Sequence, residues 1–217
     1  MTQTKQIIIA LLAAALIIAG CMMWVDRPIT AYLQALDRER PDIIAPFKVI
    51  TDLGKSVWYL PPLGIYAGVA FLLAWRGKKQ WLARGQIAAF IFANVAVSGL
   101  AVDLMKILVG RSRPVLLARH DIFNQFSLVV FDSQSWSFPS GHSATVMSLA
   151  LAVSAIFPRW RAALLVFAGV VASTRVIVAA HYPSDMIAGI AFAVMVYLAL
   201  TALFRARRWD GWIEPPK

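Results

Sequence analysis

Cysteine and charged residues are both scarce in this sequence. Cys21 is the only cysteine among 217 residues, so neither a disulfide-stapled secreted scaffold nor a cysteine metal cluster can form within the chain. Charged residues make up 15% of the chain and hydrophobic residues 60%, whereas soluble domains have about 25% and about 45–50%. This composition excludes a disordered chain and argues against an ordinary soluble domain.

Six apolar runs are long enough to cross a bilayer, which takes about 20 residues of helix. They extend over residues 6–25, 56–75, 85–108, 140–157, 161–180 and 184–204. The fourth run is short, and it can span only if its helix begins at the polar stretch 140–143. We therefore predict an all-α fold, an integral membrane bundle of six helices that forms a single membrane domain over residues 1–217.

Two connections between these runs are too long to be simple turns. Residues 26–55 carry apolar side chains at helical spacing, which favours an interfacial helix, although an element that admits substrate would fit the same pattern. Residues 109–139 form the second connection. Both lie on the side of the membrane opposite the chain termini.

The net charge of +10 is distributed very unevenly between the two sides. The side that holds both termini has eleven basic and two acidic residues, net +9, whereas the other side has ten and nine, net +1. The positive-inside rule therefore predicts cytoplasmic termini. The basic residues are dispersed among short loops, so the sequence gives little support to nucleic-acid binding.

Residues 16–21 resemble a bacterial lipoprotein cleavage box that ends at Cys21. Cleavage there would leave a lipidated N-terminus outside and five spans. A first membrane span that continues through Trp24 is the favoured interpretation, because the six-span count agrees with the charge distribution.

Charged groups beside apolar spans are costly and are therefore candidates for function. Lys106 lies near the outer end of the third span, with Arg113 just beyond it. Lys106 could instead snorkel to the headgroups, or be neutralised by Asp103 one helical turn earlier. Arg175 lies inside the fifth span, where a lipid-facing guanidinium is harder to explain.

Ser140, Gly141 and His142 precede the fourth apolar run. Ser140 is a good N-cap, Gly141 lets the backbone approach an anion, and free N–H groups at a helix start attract phosphate. His142 adds a group suited to proton transfer near neutral pH. His181 and Asp185 lie one helical turn apart, and a carboxylate is the partner that a nucleophilic histidine needs.

The predicted topology brings all of these residues to one membrane face. Three cations, a helix N-terminus and two histidines together suit an oxyanion with more than one negative charge, such as phosphate. Nothing in composition alone would place them on one face.

These residues resemble the three-part signature of the type 2 phosphatidic acid phosphatase superfamily. The matching elements are Lys106, six residues, Arg113-Pro114; Pro139-Ser140-Gly141-His142; and Arg175, five residues, His181, three residues, Asp185. The motifs cover residues 106–185, and the six-span layout matches the bacterial integral-membrane lipid phosphatases of the family. Thr174 stands where the third motif usually has serine.

The resemblance implies a role for each residue. His181 would attack the phosphorus to form a phosphohistidine, with Asp185 orienting it, and His142 would protonate the leaving oxygen and then activate water. The phosphate oxygens would be held by Lys106, Arg113, Arg175, the Ser140 hydroxyl and the Gly141 N–H. No metal and no cofactor is implied, and the sequence shows no carboxylate cluster suited to magnesium.

We therefore expect a metal-independent membrane lipid phosphatase in the bacterial inner membrane, with its active site facing the periplasm. Undecaprenyl diphosphate, phosphatidylglycerol phosphate, phosphatidic acid and a lipid A phosphate would all meet the same site. A phosphotransferase that passes the phosphoryl group to another lipid or sugar would look alike. A non-enzymatic carrier of anionic lipids would need the cations but not His142, His181 and Asp185. The oligomeric state stays open.

Overall fold

The computed structural model describes residues 3–209 and 211, and within them it contains nine α-helices and no β-strand. The helices are α1 Gln3–Gly20, α2 Asp26–Glu39, α3 Pro41–Ile50, α4 Leu60–Trp75, α5 Trp81–Val109, α6 Pro114–His120, α7 Gly141–Ile156, α8 Arg161–Ile177 and α9 Pro183–Ala206. The predicted all-α fold is thus confirmed. The acidic residues of the C-terminal tail and Lys217, which the charge count includes, lie outside the described residues.

Five helical segments of the described chain are long and apolar enough to cross a membrane. They are the continuous N-terminal helix, in which a π-helical turn at Cys21–Val25 joins α1 to α2, and the segments that contain α4, α5, α8 and α9. Helix α7 has 16 residues, and it is shorter than these five. Six crossings therefore remain a prediction.

Helix α7 lies at the centre of the bundle and packs against α5, α8 and α9. Many of its inward-facing residues are small, so the backbones of neighbouring helices can approach closely. Close packing matters in a membrane because burial of apolar surface does little there to drive helices together. Ala150 and Ala172 are buried in its contact with α8, together with Val146. Ser148 donates a buried hydrogen bond of 2.7 Å to Ser98 of α5.

The connection over residues 26–55 consists of two helices and one short 3-10 turn. The chain breaks between α2 and α3 at Arg40, because Pro41 begins the next helix at its first position. A 3-10 turn at Thr51–Gly54 then packs against α7 and α8, and a second follows at Ser56–Trp58. This segment therefore reaches into the bundle beside the first turn of α7.

The connection over residues 109–139 folds back onto the end of α5. Gly110 ends that helix with a φ of 52°, and a Cβ there would lie 1.9 Å from the carbonyl oxygen of Ser127, so only glycine fits. The Ser127 N–H donates to the Gly110 carbonyl at 3.0 Å, and the Val130 N–H donates to Ile107 at 3.0 Å. Leu128 is left 83% exposed at the tip of this loop.

Four helix ends meet at one end of the bundle: the C-termini of α5 and α8 and the N-termini of α7 and α9. The basic connections around residues 76–84 and 158–161 belong to the opposite helix ends. The candidate residues and the basic loops are thus separated along the bundle axis.

Candidate active site

Lys106 lies in the last turn of α5 and is already paired within the protein. Its Nζ is 2.8 Å from the Asp103 carboxylate, and a Cβ built on Gly141 would come within 3.2 Å of the same nitrogen. The structure therefore places Lys106 beside the start of α7, as the signature requires. It also forms the neutralising pair with Asp103 that the sequence allows.

Helix α7 begins at Gly141 with Ser140 as its N-cap, as the sequence predicts. The Ser140 hydroxyl accepts weakly from the Ser143 N–H at 3.4 Å and from the Ser143 hydroxyl at 2.9 Å. The Ser140 N–H donates to the carbonyl of Asp185 at 2.9 Å, which ties the first turn of α7 to the start of α9. His142 thereby occupies the second position of the helix, next to the residues of the third motif.

Arg113 and Arg175 contribute two half-buried arginine side chains. Arg175 donates to the Thr51 hydroxyl at 3.1 Å, so the 3-10 turn supports it. The Nε atoms of Arg113 and Arg175 are buried, and no acceptor among residues 3–209 and 211 meets either one. Unpaired buried donors of this kind are costly unless a ligand oxygen satisfies them. Burial lowers the pKa of Arg113, while the Asp185 carboxylate opposes that shift.

Thr174, the departure from the family pattern, turns its hydroxyl back onto its own helix. It donates to the Val171 carbonyl at 2.6 Å and is fully buried. The Thr174 hydroxyl therefore forms its hydrogen bond within α8.

His181 lies in the turn between α8 and α9, and only 3% of its surface is exposed. Its Nδ1 is 2.7 Å from the carbonyl oxygen of Ser137. A carbonyl oxygen can only accept, so Nδ1 carries the hydrogen and Nε2 keeps its lone pair. Burial lowers the pKa of His181 to about 4, and the charges of Arg175 and Arg113 act in the same direction while Asp185 opposes them. The imidazole is therefore neutral near pH 7, with the Nε2 lone pair free of a proton.

Asp185 stands at 3.6 Å from the Nδ1 of His181, beyond normal hydrogen-bond distance. Its carboxylate instead accepts from the Ser137 hydroxyl at 2.6 Å and from the Tyr182 N–H at 2.9 Å. Ser137 thus bonds to both groups, with its carbonyl on His181 and its hydroxyl on Asp185. The hydrogen bond to Nδ1 of His181 is therefore made by Ser137, and Asp185, which the family resemblance expects to orient the imidazole, is linked to it through Ser137.

Arg111 and Asp26 are the residues that sequence reasoning missed. Arg111 is completely buried and donates to Asp185 at 2.5 Å, to Asp26 at 2.7 Å and to the Ser184 hydroxyl at 2.7 Å. Its guanidinium also stacks 4.3 Å from the ring centre of Tyr182. Asp26 is equally buried, and it accepts from the N–H and the hydroxyl of Ser184. Arg111 therefore joins the carboxylate of the third motif to the N-terminal helix.

A signal for this pair exists in the sequence. Both residues flank apolar spans, where an ionised group is costly and marks a functional or structural requirement. Their pairing cannot be read from it, because 85 positions separate them.

The described residues contain no group of three histidine, cysteine, aspartate or glutamate side chains that could hold a metal ion. Metal independence remains a prediction of the sequence, and the cations near His181 are the groups that could neutralise a bound phosphate.

The membrane-length apolar helices and the motif residues gathered at one end of the bundle define an integral membrane protein with a candidate phosphate site. The chain belongs to the PAP2 superfamily, whose sequence profile matches residues 87–209. Two relatives are named lipid A 1-phosphatase. The protein from Rhizobium etli is 36% identical over 210 residues, covering 90% of this chain and 86% of the relative. The protein from Rhizobium johnstonii is 41% identical over 179 residues, covering 76% and 72%.

A solved structure shares the fold. It is the transmembrane PAP2-type phosphatidylglycerolphosphate phosphatase from Bacillus subtilis, with a TM-score of 0.54 and 17% identity over 90% of this chain and 96% of that one. Together with the relatives, this similarity confirms the predicted class: the chain is a multi-pass membrane lipid phosphatase.

Proposed function

We propose that this protein removes a phosphate from a lipid A type substrate at the outer face of the bacterial inner membrane. The identity to the two Rhizobium lipid A 1-phosphatases extends over 90% and 76% of the chain, well beyond the matched superfamily region. That extent favours lipid A over the other lipid phosphates that the same motifs accept.

The tautomer of His181 is the single observation that carries the mechanism. Because the Ser137 carbonyl holds the hydrogen on Nδ1, the Nε2 lone pair can attack the phosphorus. The bond from Nε2 to phosphorus forms while the bond from phosphorus to the leaving oxygen breaks, which gives a phosphohistidine. Arg113 and Arg175, whose Nε donors have no acceptor within the described chain, neutralise the charge on the phosphoryl oxygens.

His142 completes both steps as acid and then as base. It donates a proton to the leaving oxygen of the lipid, and it then takes a proton from the water that attacks the phosphohistidine. Inorganic phosphate leaves and His181 returns to its neutral form. Lys106, Ser140 and the Gly141 N–H support the phosphate from the first turn of α7, next to His142.

The proposed orientation is supported by the separation of charges along the bundle. The motif residues cluster at the helix ends opposite the basic connections, and basic connections face the cytoplasm by the positive-inside rule. The active site then faces the periplasm, with both termini in the cytoplasm.

Phosphate release by the purified protein from a panel of lipids tests the proposal. The panel contains lipid A, phosphatidic acid, phosphatidylglycerol phosphate and undecaprenyl diphosphate, and the variant His181→Ala serves as the blank. We expect the highest kcat/KM for lipid A. Faster release from another member of the panel would reassign the substrate, and no release from any of them would reject the activity.

Hydrolysis is distinguished from transfer by running the reaction in ¹⁸O-labelled water. One labelled oxygen in the released inorganic phosphate is the expected result, because water attacks the phosphohistidine. Phosphate recovered on an added lipid or sugar would establish a phosphotransferase instead.

A further inference from the structure

An open groove of about 350 Å³ lies between α4 and α5, away from the candidate active site. Its volume falls within the range of about 300–1,000 Å³ that is usual for ligand pockets. The lining is apolar or aromatic except for one arginine, and it consists of Leu63, Tyr66, Arg84, Ile87, Ala88 and Ile91. No residue of the three motifs belongs to this lining.

Arg84 lies at the depth of the lipid headgroups. Helix α5 has 29 residues, and at about 1.5 Å per residue it is about 43 Å long, whereas the hydrocarbon core is about 30 Å thick. A centred α5 therefore extends about 6 Å beyond the core at each end, which is the first turn that carries Trp81 and Arg84. Ile87 and Ile91 lie one and two turns deeper, in the hydrocarbon. The groove thus joins a cation at the headgroup level to an apolar wall.

The Arg84 side chain is held in place without a carboxylate. Its guanidinium lies over the Trp81 ring at 4.6 Å from the ring centre, and the Trp81 ring is 6.5 Å from that of Tyr66. None of the ion pairs formed within residues 3–209 and 211 includes Arg84. Stacking uses the face of the guanidinium and leaves its in-plane N–H donors for a ligand oxygen. Arg84 is therefore a fixed cation that lacks an anionic partner within the described chain.

The surroundings of Arg84 favour a ligand with a net negative charge. The connection into α5 carries Arg76, Lys78 and Lys79 ahead of Arg84, and residues 76–84 include no acid. Basic groups at the end of membrane helices bind the headgroups of anionic lipids. The same charges repel a headgroup that carries a cation next to its phosphate.

A second groove at the same end of the bundle provides a contrast. It has a volume of about 240 Å³, and it is lined by Val153, Phe157, Trp160 and Leu164. Arg159 lies 6.0 Å from the ring centre of Trp160 but does not line that groove. An exposed arginine stacked on a tryptophan thus occurs beside both grooves, whereas the groove between α4 and α5 has the cation in its wall.

We propose that the groove between α4 and α5 binds one anionic phospholipid of the inner leaflet, with its phosphate on Arg84 and an acyl chain against Leu63, Ile87 and Ile91. This lipid lies at the end of the bundle opposite the candidate active site, and it is distinct from the substrate. The binding does not rest on the proposed function. Only the choice of leaflet does, because it follows from the proposed cytoplasmic termini.

Native mass spectrometry of the purified protein in detergent measures the binding of phosphatidylglycerol and of phosphatidylcholine with the same acyl chains. Both lipids have a phosphate, but the choline cation cancels its charge. We expect phosphatidylglycerol to bind at least about tenfold more tightly, and we expect added salt to reduce the preference. Equal affinity for the two lipids would overturn the proposal.

Arg84→Met tests the cation directly. It should raise the Kd for phosphatidylglycerol at least about tenfold, because a hydrogen bond to a charged group contributes about that much. Arg159→Met is the matched control, since Arg159 is also exposed and stacked on a tryptophan, and it should change Kd less than about threefold. Ile87→Trp, which narrows the apolar wall, should also weaken binding. An unchanged Kd in Arg84→Met, or equal losses in Arg84→Met and Arg159→Met, would contradict the site.

Arg113→Met separates this groove from the candidate active site. It removes a proposed phosphate ligand there and should leave the Kd for phosphatidylglycerol unchanged. A loss of binding in Arg113→Met without a loss in Arg84→Met would put the lipid in the active site and reject the proposal. Failure of the proposed function is seen separately, as absence of phosphate release by the wild-type protein.

Discussion

Arg111 and Asp26 form a salt bridge of 2.7 Å in which neither side chain is exposed to solvent. The same guanidinium holds Asp185 at 2.5 Å, so one cation compensates two buried carboxylates. Removing one partner from a buried ion pair typically costs about 3–5 kcal/mol, because the other charge is left without compensation.

Arg111→Met should therefore lower stability more than Asp26→Asn does. The first variant leaves two buried carboxylates unpaired, whereas the second leaves Arg111 bound to Asp185. The midpoint of thermal unfolding in detergent measures the difference. Arg27→Met is the matched control, since its salt bridge to Asp121 is largely exposed and should contribute little. A midpoint for Arg111→Met no lower than that of Arg27→Met would contradict this account.

His181→Ala should abolish phosphate release, and His142→Ala should reduce kcat about 10²–10⁴-fold, as expected for the loss of a general acid and base. The reason is that in the proposed mechanism His181 forms the bond to phosphorus, whereas His142 only moves protons. Gel filtration first checks that each variant is folded. Rates of phosphate release from lipid A in detergent then test both predictions. Substantial activity in His181→Ala would remove the phosphohistidine from the mechanism.

His181 should remain neutral, and so able to attack phosphorus in the proposed mechanism, at pH values well below the usual pKa of histidine. The imidazole attacks only when neutral, and burial lowers its pKa from 6.5 to about 4, so the neutral form persists down to that pH. NMR titration of ¹⁵N-labelled histidine, with the His181 signals assigned by their loss in His181→Gln, gives the value directly. A midpoint near 6.5 would mean that His181 is not buried as described.

Gly54→Ala should reduce kcat while the protein still folds. A Cβ at residue 54 would lie 2.7 Å from the Cβ of His142, so either the 3-10 turn or the histidine must move. A misplaced acid and base slows catalysis even when binding is kept. Gly68→Ala is the control, because its Cβ meets nothing within 4 Å. Kinetics with lipid A measure both variants, and unchanged kcat in Gly54→Ala would show that the turn does not position His142.

The single cysteine makes the orientation testable by chemical labelling. In a Cys21→Ser background, Leu128→Cys lies at the active-site end and Lys78→Cys lies in a basic connection at the opposite end. A membrane-impermeant maleimide applied to cells with a permeabilised outer membrane should label the first variant only. Labelling of Lys78→Cys alone would reverse the proposed topology.

The sequence predicts the helices of this bundle well, because an apolar run of membrane length has few alternatives to a helix. The predicted run 85–108 lies within α5 at Trp81–Val109, and the run 184–204 lies within α9 at Pro183–Ala206. The cap at Ser140 is equally local, since one side chain and the N–H groups of the next residues define it.

Contacts between distant segments could not be predicted in the same way. The approach of Thr51–Gly54 to His142 and Arg175 depends on how two helices and a turn pack, and no local pattern encodes it. The contacts of Asp185 and His181 likewise depend on Ser137, which lies two residues before the second motif and outside it. The predicted roles of the site residues remain proposals that the variants above test.

The π-helical turn at Cys21–Val25 directly precedes Asp26, which forms the buried salt bridge with Arg111. The superfamily region at residues 87–209 therefore lacks one of the carboxylates that balance Arg111. A chain shortened to that region would contain all three motifs but would lack the Asp26 carboxylate that pairs with Arg111. We therefore expect an active fragment of this enzyme to extend at least as far back as Asp26, because Arg111 needs that carboxylate.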